Sequence, residues 1–332
     1  MIPEKIRVSI GTAALLGLDR CWLDVKPTTA YLMTYTEGSC IANCAFCPQA
    51  RGSSSRKSLL SRVLWPVFPT GKVLEGLRLR AEGAFSRICI QTINYPGFLD
   101  DILSILSAIK EATELPVSLD APPLERGELE MLRDAGLDRI SIPLDAATPE
   151  LFDRVKGRLA RGPYIWEGHL KALRSAVDVF GAGRVMSNLI VGLGETERDA
   201  VELIQRLMDI GIRTVLFAFT PIPGTMLAGR PQPPLDAYRR VQLARHLITE
   251  GLARFEEMAF NEEGRLRSFG ADEETIQRVL RSGEAFRTSG CPGCNRPYYN
   301  ERPSGPLYNY PRRLTREEAH REAMRMGLRM NE

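Results

Sequence analysis

The sequence predicts an α/β fold in which parallel strands form a TIM-type (β/α) barrel, full or partial, followed by an irregular C-terminal extension. Short apolar segments of strand length alternate with longer amphipathic segments of helical period, which is typical of βα units. Gly, Pro and polar residues gather after the C-terminal ends of successive strands, where such barrels place their active sites. The 332 residues, 44% of them hydrophobic, suffice for a core of this size.

Six strands are predicted from short runs of apolar and β-branched residues. They cover Thr29–Thr34, Arg87–Gln91, Val117–Asp120, Arg139–Leu144, Met186–Val191 and Thr214–Phe219. Apolar residues at helical spacing predict helices at Leu99–Glu114 and Glu125–Ala135, and a further helix opens after the turn at Asp145–Glu150. These elements define a barrel domain over residues 29–260, preceded by an N-terminal lead-in over residues 1–28.

A C-terminal extension is expected over residues 261–332, and the pattern already changes beyond Pro231. Helices are predicted at Leu235–Gly251, near Glu273–Leu280 and at Arg316–Arg329. Between the last two lies a loop from Arg287 to Arg313 that is rich in Gly, Pro, Tyr and Asn. Loops of this length without regular structure are rarely without a role.

The composition excludes several classes of protein. With 44 basic and 41 acidic residues the net charge is +3, without the clustered basic excess of a nucleic-acid binder. Charged residues interrupt every apolar run before the ~18 residues that a membrane span needs. The first residues lack the pattern of a secretory signal. We therefore expect a cytoplasmic protein with neither nucleic-acid nor membrane partners.

Cysteines are numerous for such a protein, and three of them form a C-x₃-C-x₂-C motif directly after the first predicted strand. In a reducing compartment clustered cysteines are better explained as metal ligands than as disulfides. Cys40, Cys44 and Cys47 can hold three irons of a cubane cluster and leave the fourth iron free to chelate a small molecule. Zinc, or no metal at all, is the alternative, although zinc knuckles use paired C-x₂-C motifs.

This motif and its position resemble the hallmark of the radical S-adenosylmethionine (SAM) superfamily, and Phe46 matches the aromatic residue that usually precedes the third cysteine. The resemblance implies a [4Fe-4S] cluster whose open iron binds the amine and carboxylate of SAM. It further implies reductive cleavage of SAM to a 5′-deoxyadenosyl radical, which abstracts hydrogen from an unactivated C–H bond.

The same resemblance implies further SAM-binding residues. Thr92 and Asn94 stand where the superfamily usually has a Gly-Gly-Glu turn that holds the SAM amine. Asp145 is similar to the aspartate that meets the SAM ribose in biotin synthase, although a proline replaces the asparagine two residues earlier. The segment Asn188–Thr196, which contains the candidate residues Asn188 and Glu195, resembles the fifth-strand segment of biotin and lipoyl synthases, which lies along the adenine.

A second cysteine set lies in the C-terminal loop, where Cys291 and Cys294 form a C-x₂-C motif on a Gly/Pro turn. Two ligands alone seldom hold a metal, so partners are needed from elsewhere. Cys21, just before the first strand, is the best-placed thiol, and Ser304 is a candidate oxygen ligand. Cys89 on the second strand is the rival, with a buried small side chain as its alternative role.

These features resemble the sulfur-inserting, biotin and lipoyl synthase-like branch of the superfamily, and most of all the split lipoyl synthases, in which two radical SAM proteins share the work. The resemblance implies a second, auxiliary [4Fe-4S] cluster that donates sulfur to a protein-bound octanoyl chain. The implied partners are an octanoylated lipoyl carrier protein, a second radical SAM subunit and an electron donor such as ferredoxin.

Two alternatives remain open at the level of sequence. One is another biotin synthase-like radical SAM reaction, a rearrangement or methyl transfer, with a structural or electron-relay second cluster. The other is a non-catalytic iron–sulfur or zinc scaffold.

Overall fold

The computed structural model describes residues 1–331. Its strands are β1 (Lys5–Val8), β2 (Thr29–Met33), β3 (Leu59–Leu60), β4 (Val63–Leu64), β5 (Val67–Pro69), β6 (Arg87–Gln91), β7 (Val117–Asp120), β8 (Arg139–Ser141), β9 (Val185–Val191), β10 (Ile212–Ala218), β11 (Ala259–Phe260) and β12 (Leu266–Ser268). Its helices are α1 (Ile10–Leu16), α2 (Thr70–Ala84), α3 (Phe98–Ala112), α4 (Arg126–Asp134), α5 (Pro149–Val155), α6 (Trp166–Phe180), α7 (Glu197–Asp209), α8 (Leu235–Thr249), α9 (Glu273–Ser282) and α10 (Arg316–Arg325). None of these helices has both the length and the apolar character needed to cross a membrane.

One eight-stranded sheet forms the frame, in the order β10-β9-β8-β7-β6-β2-β1-β5. The six strands from β10 to β2 are mutually parallel. At the edge formed by β2, the strand β1 pairs with β2 in the antiparallel direction, and β5 in turn pairs antiparallel with β1. Because β10 and β5 are not neighbours in the described sheet, the barrel is partial. The predicted α/β fold with a parallel sheet is confirmed.

Side chains alternate between two environments along each parallel strand, as the pleat requires. On β6, Ile88 and Ile90 are fully buried in the main hydrophobic core. Cys89 and Gln91, at the intervening positions, line cavities on the inner face of the sheet. The outer face therefore supplies the packing that stabilises the sheet, which leaves the inner positions available for polar and sulfur-containing residues.

The predicted strand at Arg139–Leu144 is shorter than expected, because β8 ends at Ser141. Pro143 has no N–H to contribute to the sheet. Beyond it the Leu144 amide donates to the Ser187 side-chain oxygen at 3.0 Å instead of continuing the ladder with backbone. The ladder is thereby interrupted at Pro143 and Leu144, and a single parallel bridge from Asp145 to Leu189 follows, in which the Asp145 amide donates to the Asn188 carbonyl at 2.8 Å.

The C-terminal extension is packed tightly against α8. Arg239 is fully buried and donates to the Glu322 carboxylate at 2.9 Å. Tyr310 donates to the other oxygen of the same carboxylate at 2.8 Å. Tyr238 donates to the Asn309 side chain at 3.0 Å. These buried polar contacts connect the extension to the barrel as part of one packed unit.

The loop that carries Cys291 and Cys294 runs from β10 towards the start of β2. At one end Ser289 Oγ accepts a hydrogen bond from the Leu216 amide in β10 at 2.8 Å. At the other end the Asn295 side chain accepts from the Thr28 amide, immediately before β2, at 3.0 Å. The loop therefore reaches the N-terminal end of β2, whereas the Cys40–Cys47 loop leaves its C-terminal end.

Candidate active site

The three cysteines of the first motif line one cavity of about 200 Å³, which we call the cluster chamber. Their loop is held by backbone hydrogen bonds to the loop after β6 and to the end of α5. The Ile41 amide donates to the Asn94 carbonyl at 2.8 Å, and the Ala45 amide donates to the Val155 carbonyl at 2.7 Å. Inside the loop the Cys47 amide donates to the Cys44 carbonyl at 3.0 Å. The folded loop thus brings all three thiols to one chamber.

Burial disfavours a negative charge on these thiols in the absence of a cation. It raises the pKa of Cys47 to about 12 and raises the pKa of Cys44 well above its ordinary range, although Lys156 opposes the latter shift. Iron requires thiolates as ligands, so binding must displace protons from the cysteines. A cluster would supply the positive charge that the buried sulfurs lack.

Among residues 1–331, no three His, Cys, Asp or Glu side chains converge closely enough to ligate a single metal ion. The cysteines of a cubane bind different iron atoms at separate corners, so they need not converge on one point.

Thr92 and Asn94 form one wall of the cluster chamber, after the end of β6. The Thr92 hydroxyl is buried and has no hydrogen-bond partner. The Asn94 side chain already makes one hydrogen bond, because its Nδ2 donates to the Tyr164 hydroxyl at 2.9 Å. Buried polar atoms are nearly always paired, so the Thr92 hydroxyl fits a polar ligand such as SAM.

Asp145 lies on another wall of the chamber and is paired there with a buried cation. Lys156 Nζ donates to its carboxylate at 2.6 Å, and both side chains are more than 90% buried. Burial lowers the pKa of Lys156, but the Asp145 carboxylate outweighs this effect and the pKa is raised. Asp145 has a φ of 67°, a left-handed conformation that costs energy in a non-glycine residue. The surrounding contacts therefore hold this carboxylate at a defined position in the chamber.

Asn188 belongs to a buried hydrogen-bonded chain across the inner face of the sheet. Its Nδ2 donates to the Asp120 carboxylate at 2.9 Å, and its Oδ1 accepts from the Ser141 hydroxyl at 3.3 Å. Burial raises the pKa of Asp120 to about 7, whereas the hydrogen bond from Asn188 lowers it. The Asp120 carboxyl is therefore protonated below about pH 7 and ionised above it.

Phe46 and Glu195, the remaining residues predicted for the SAM site, occupy different places. Phe46 lines the cluster chamber. Glu195 does not line it, and its carboxylate instead accepts hydrogen bonds from the amides of Leu193 and Gly194, at 3.0 Å each. In this arrangement Glu195 stabilises the Gly-rich turn after β9.

A larger cavity of about 770 Å³, which we call the second chamber, is lined by Cys21, Cys89, Cys291 and Cys294. The Cys294 sulfur lies 3.0 Å from the Tyr31 hydroxyl on β2. Burial raises the pKa of Cys89 well above its ordinary range, and the nearby sulfurs of Cys291 and Cys294 add to this effect. The second chamber is thus lined by a second group of thiols, of which Cys89, Cys291 and Cys294 are partly buried.

Cys21 and Ser304 lie further out than the tail pair. Cys21 is an exposed residue at the chamber wall, and its thiol donates to the Ile10 carbonyl at 3.7 Å. Ser304 is exposed and does not line the second chamber. The structure therefore brings together Cys291, Cys294 and Cys89 more closely than the set that includes Ser304.

The two chambers share part of their lining. The residues that contribute to both are Gln91, Asp120, Asn188, Phe217 and Tyr299. On their strands Gln91, Asp120, Asn188 and Phe217 each lie two residues beyond another residue that lines the second chamber, whereas Tyr299 belongs to the tail. A molecule at this shared wall would lie between the two thiol groups.

Sequence reasoning did not identify Lys156, Asp120 or Arg296 as site residues. Lys156 stands in a run of charged residues that resembles a solvated surface. Asp120 is the last residue of β7. Its position at the C-terminal end of a parallel strand was the sequence signal that could have identified it as a site residue. Arg296 is in the tail, and its guanidinium lies 4.1 Å from the centre of the Phe217 ring on β10.

The chain is similar to known radical SAM proteins. The family model described as the radical SAM superfamily matches residues 36–207. The biotin synthase of Desulforudis audaxviator (strain MP104C) is 27% identical over 256 residues, which cover 74% of this chain and 73% of that enzyme. The biotin synthase of Persephonella marina (strain DSM 14350 / EX-H1) is 25% identical over 205 residues, which cover 60% of this chain but only 57% of the enzyme.

A crystal structure of methylornithine synthase superposes with a TM-score of 0.53 at 15% identity, covering 68% of this chain and 63% of that one. At this identity the likeness supports the fold alone. The family model spans more than half of the 332 residues and includes the cysteine motif. The superfamily predicted from that motif is therefore confirmed, and the chain belongs to the radical SAM superfamily.

Proposed function

We propose that this radical SAM enzyme inserts sulfur into an octanoyl chain attached to a lysine of a lipoyl carrier protein. The superfamily implies a [4Fe-4S] cluster and SAM, and relatives named biotin synthase support the sulfur-inserting branch. When bound, the first cluster with SAM supplies hydrogen-atom abstraction, and an auxiliary [4Fe-4S] cluster at Cys291 and Cys294 supplies sulfide.

The observation that carries the proposal is the wall shared by the two chambers. Asp120 and Asn188 on this wall face both the Cys40–Cys47 side and the Cys291–Cys294 side. A substrate carbon held against them would be within reach of both cofactor sites at once. Insertion of sulfur needs this proximity, because the carbon that loses hydrogen must meet the sulfur donor before it reacts otherwise.

The second chamber has walls that suit an alkyl chain. Apolar side chains from two segments line it, one next to Cys21 and one around β4. They include Trp22, Leu23, Val25, Val63 and Trp65. Trp22 is almost fully exposed, at 93%, so this end of the chamber meets solvent. An acyl chain entering here would bury methylene groups against these side chains, each worth about 0.8 kcal/mol.

The surroundings of the chamber also support an acidic carrier protein as partner. Arg62 and Arg302 line the chamber and are exposed residues. Carboxylates on a carrier protein would pair with these guanidinium groups as its acylated lysine approached. The proposal includes a reductant such as ferredoxin, and a second radical SAM subunit that shares the two insertions.

A single-turnover experiment tests the proposed function. Protein reconstituted with a heavy isotope of sulfur is given SAM, a reductant and an octanoylated carrier peptide without oxygen. We expect heavy sulfur in the product in proportion to sulfide lost from the protein. Labelled protein that yields a product containing no heavy sulfur would refute the proposal.

A matched variant separates sulfur insertion from the alternative reactions. Replacing Cys291 and Cys294 with alanine leaves the cluster chamber intact, so 5′-deoxyadenosine should still form while the sulfur-containing product disappears. If the reaction were a rearrangement or a methyl transfer, the wild-type enzyme would form a product that contains no added sulfur. A non-catalytic scaffold would give no SAM cleavage even in the wild type.

A further inference from the structure

Three side chains stand side by side on the inner face of neighbouring strands. In the register of the sheet Tyr31 on β2 is opposite Cys89 on β6, and Cys89 is opposite Ser118 on β7. Adjacent strands are about 4.8 Å apart. All three residues line the second chamber. Cys89 is therefore the middle member of a row directed into that chamber.

The two tail thiols contact the outer members of this row. The Cys294 sulfur lies 3.0 Å from the Tyr31 hydroxyl, and the Cys291 sulfur lies 3.3 Å from the Ser118 hydroxyl. Because Cys89 stands between Tyr31 and Ser118, its thiol faces the space between the two tail sulfurs. The three sulfurs thus form a group contributed by one strand and one loop.

From this juxtaposition we infer that Cys89 is the third thiolate of the auxiliary cluster, together with Cys291 and Cys294. The inference rests on the proposed function, which requires that cluster. Cys89 takes the place of Cys21 and Ser304 as the third ligand, since both of these are exposed residues. A strand position also holds its side chain more rigidly than an N-terminal lead-in does.

A buried cation beside the group supports the assignment. The Arg296 guanidinium packs on Phe217, within the second chamber. A guanidinium is charged at all accessible pH values, so a permanent positive charge lies in the chamber that the sulfurs line. Three thiolates in a low-dielectric cavity need such compensation.

Iron and sulfide analysis of protein purified without oxygen tests the assignment. All variants carry Cys40→Ala, Cys44→Ala and Cys47→Ala, so that only the auxiliary cluster is counted. We expect about four irons in this background, nearly complete loss on adding Cys89→Ser, and full retention on adding Cys21→Ser. Retention of iron by the Cys89→Ser variant, with loss in the Cys21→Ser variant, would overturn the assignment.

A further variant distinguishes failure of the assignment from failure of the proposed function. Cys291→Ser with Cys294→Ser should also lose the iron. If this pair of changes leaves all iron in place, the tail holds no cluster, and the proposed function fails with it. If the pair loses iron but Cys89→Ser does not, only the third thiolate has been assigned wrongly.

Circular dichroism checks whether the Cys89→Ser variant folds. If the variant does not fold, a measurement on the wild-type protein still tests the assignment. Mild oxidation of iron-free wild-type protein, followed by peptide mass spectrometry, reports which thiols lie within disulfide distance. A disulfide from Cys89 to Cys291 or Cys294 supports the assignment. A disulfide from Cys21 to either tail cysteine, with none to Cys89, contradicts it.

Discussion

Tyr31 and Cys294 are separated by 263 residues in sequence, yet the tyrosine hydroxyl and the cysteine sulfur lie 3.0 Å apart. This contact connects the first parallel strand to the C-terminal extension inside the barrel. The tail cysteines are therefore constituents of the barrel interior. A cofactor bound by these cysteines would therefore lie inside the barrel, next to any substrate that the barrel encloses.

Replacing Tyr31 with phenylalanine should loosen the tail. Loss of one buried hydrogen bond costs about 1 kcal/mol, so local opening of the Arg287–Arg313 loop should become about five-fold more frequent. The rate of tryptic cleavage within that loop reports the opening. Tyr95→Phe is the matched control, because it removes a hydroxyl that bonds Asp101 in α3 at 2.6 Å and no residue of the tail. Equal cleavage rates in wild type and Tyr31→Phe would contradict the prediction.

Asp120 should make stability depend on pH near neutrality. Its pKa rises from 3.8 to about 7 on folding, so the folded state holds this proton more tightly than the unfolded chain does. The penalty is absent below about pH 4, grows between about pH 4 and about pH 7, and is constant at higher pH, at about 4 kcal/mol or less.

Asp120→Asn should remove this pH-dependent penalty while its side-chain oxygen still accepts from Asn188. Urea unfolding at a series of pH values measures the effect as the difference between the variant and wild-type curves. Asp100→Asn, at an exposed position on α3, provides the control and should leave the curve unchanged. Parallel curves for Asp120→Asn and wild type would show that the carboxyl is not desolvated as described.

Removing one partner of the buried pair of Lys156 and Asp145 should destabilise the fold, because the other charge is left unpaired. Lys156→Met leaves a buried carboxylate without its cation, which typically destabilises by about 3–5 kcal/mol. Adding Asp145→Asn removes the unpaired charge and should restore most of the loss. A double-mutant cycle in urea measures the coupling. Arg126→Ala, which breaks the exposed pair with Glu130, should cost about 0.5 kcal/mol or less. Additive effects of the Lys156 and Asp145 changes would rule out the coupling.

Much of the barrel could be predicted from sequence, because its strands are continuous apolar runs bounded by Gly, Pro or polar residues. β6 and β7 have the predicted limits. α2 was not predicted, and the reason lies in its composition. It contains Gly71, Gly76 and Gly83, and Leu79 on its surface is 71% exposed, so its apolar stripe is indistinct. The strand β1 escaped detection because it has only four residues.

The two halves of the site differ in how far sequence could reveal them. Cys40, Cys44 and Cys47 lie within eight residues, so their spacing alone predicts a shared ligand. The row of Tyr31, Cys89 and Ser118 depends on strand register, which single-sequence patterns do not specify. The contact of Cys291 with Ser118 spans 173 residues and follows from the path of the tail. Long-range contacts of this kind become visible only in the folded chain.

The unpaired Thr92 hydroxyl leads to a prediction in which stability and ligand affinity change in opposite senses. Thr92→Val keeps the shape of the side chain but removes a buried oxygen that has no partner in the folded chain. The free energy of unfolding should rise by about 1 kcal/mol, because a desolvated polar atom is lost. If that hydroxyl bonds SAM, the affinity of the cluster-loaded protein for SAM should fall by about five- to ten-fold.

Thr214 provides a matched control for this prediction, since its hydroxyl is also buried and unpaired but it lies outside the lining of the cluster chamber. Thr214→Val should raise stability by a similar amount and leave SAM affinity unchanged. Thermal unfolding gives the first quantity, and equilibrium binding of SAM under anaerobic conditions gives the second. If both variants lose affinity equally, a general change in the barrel is responsible. If neither loses affinity, Thr92 does not contact SAM, and the wall that it forms with Asn94 serves only to close the chamber.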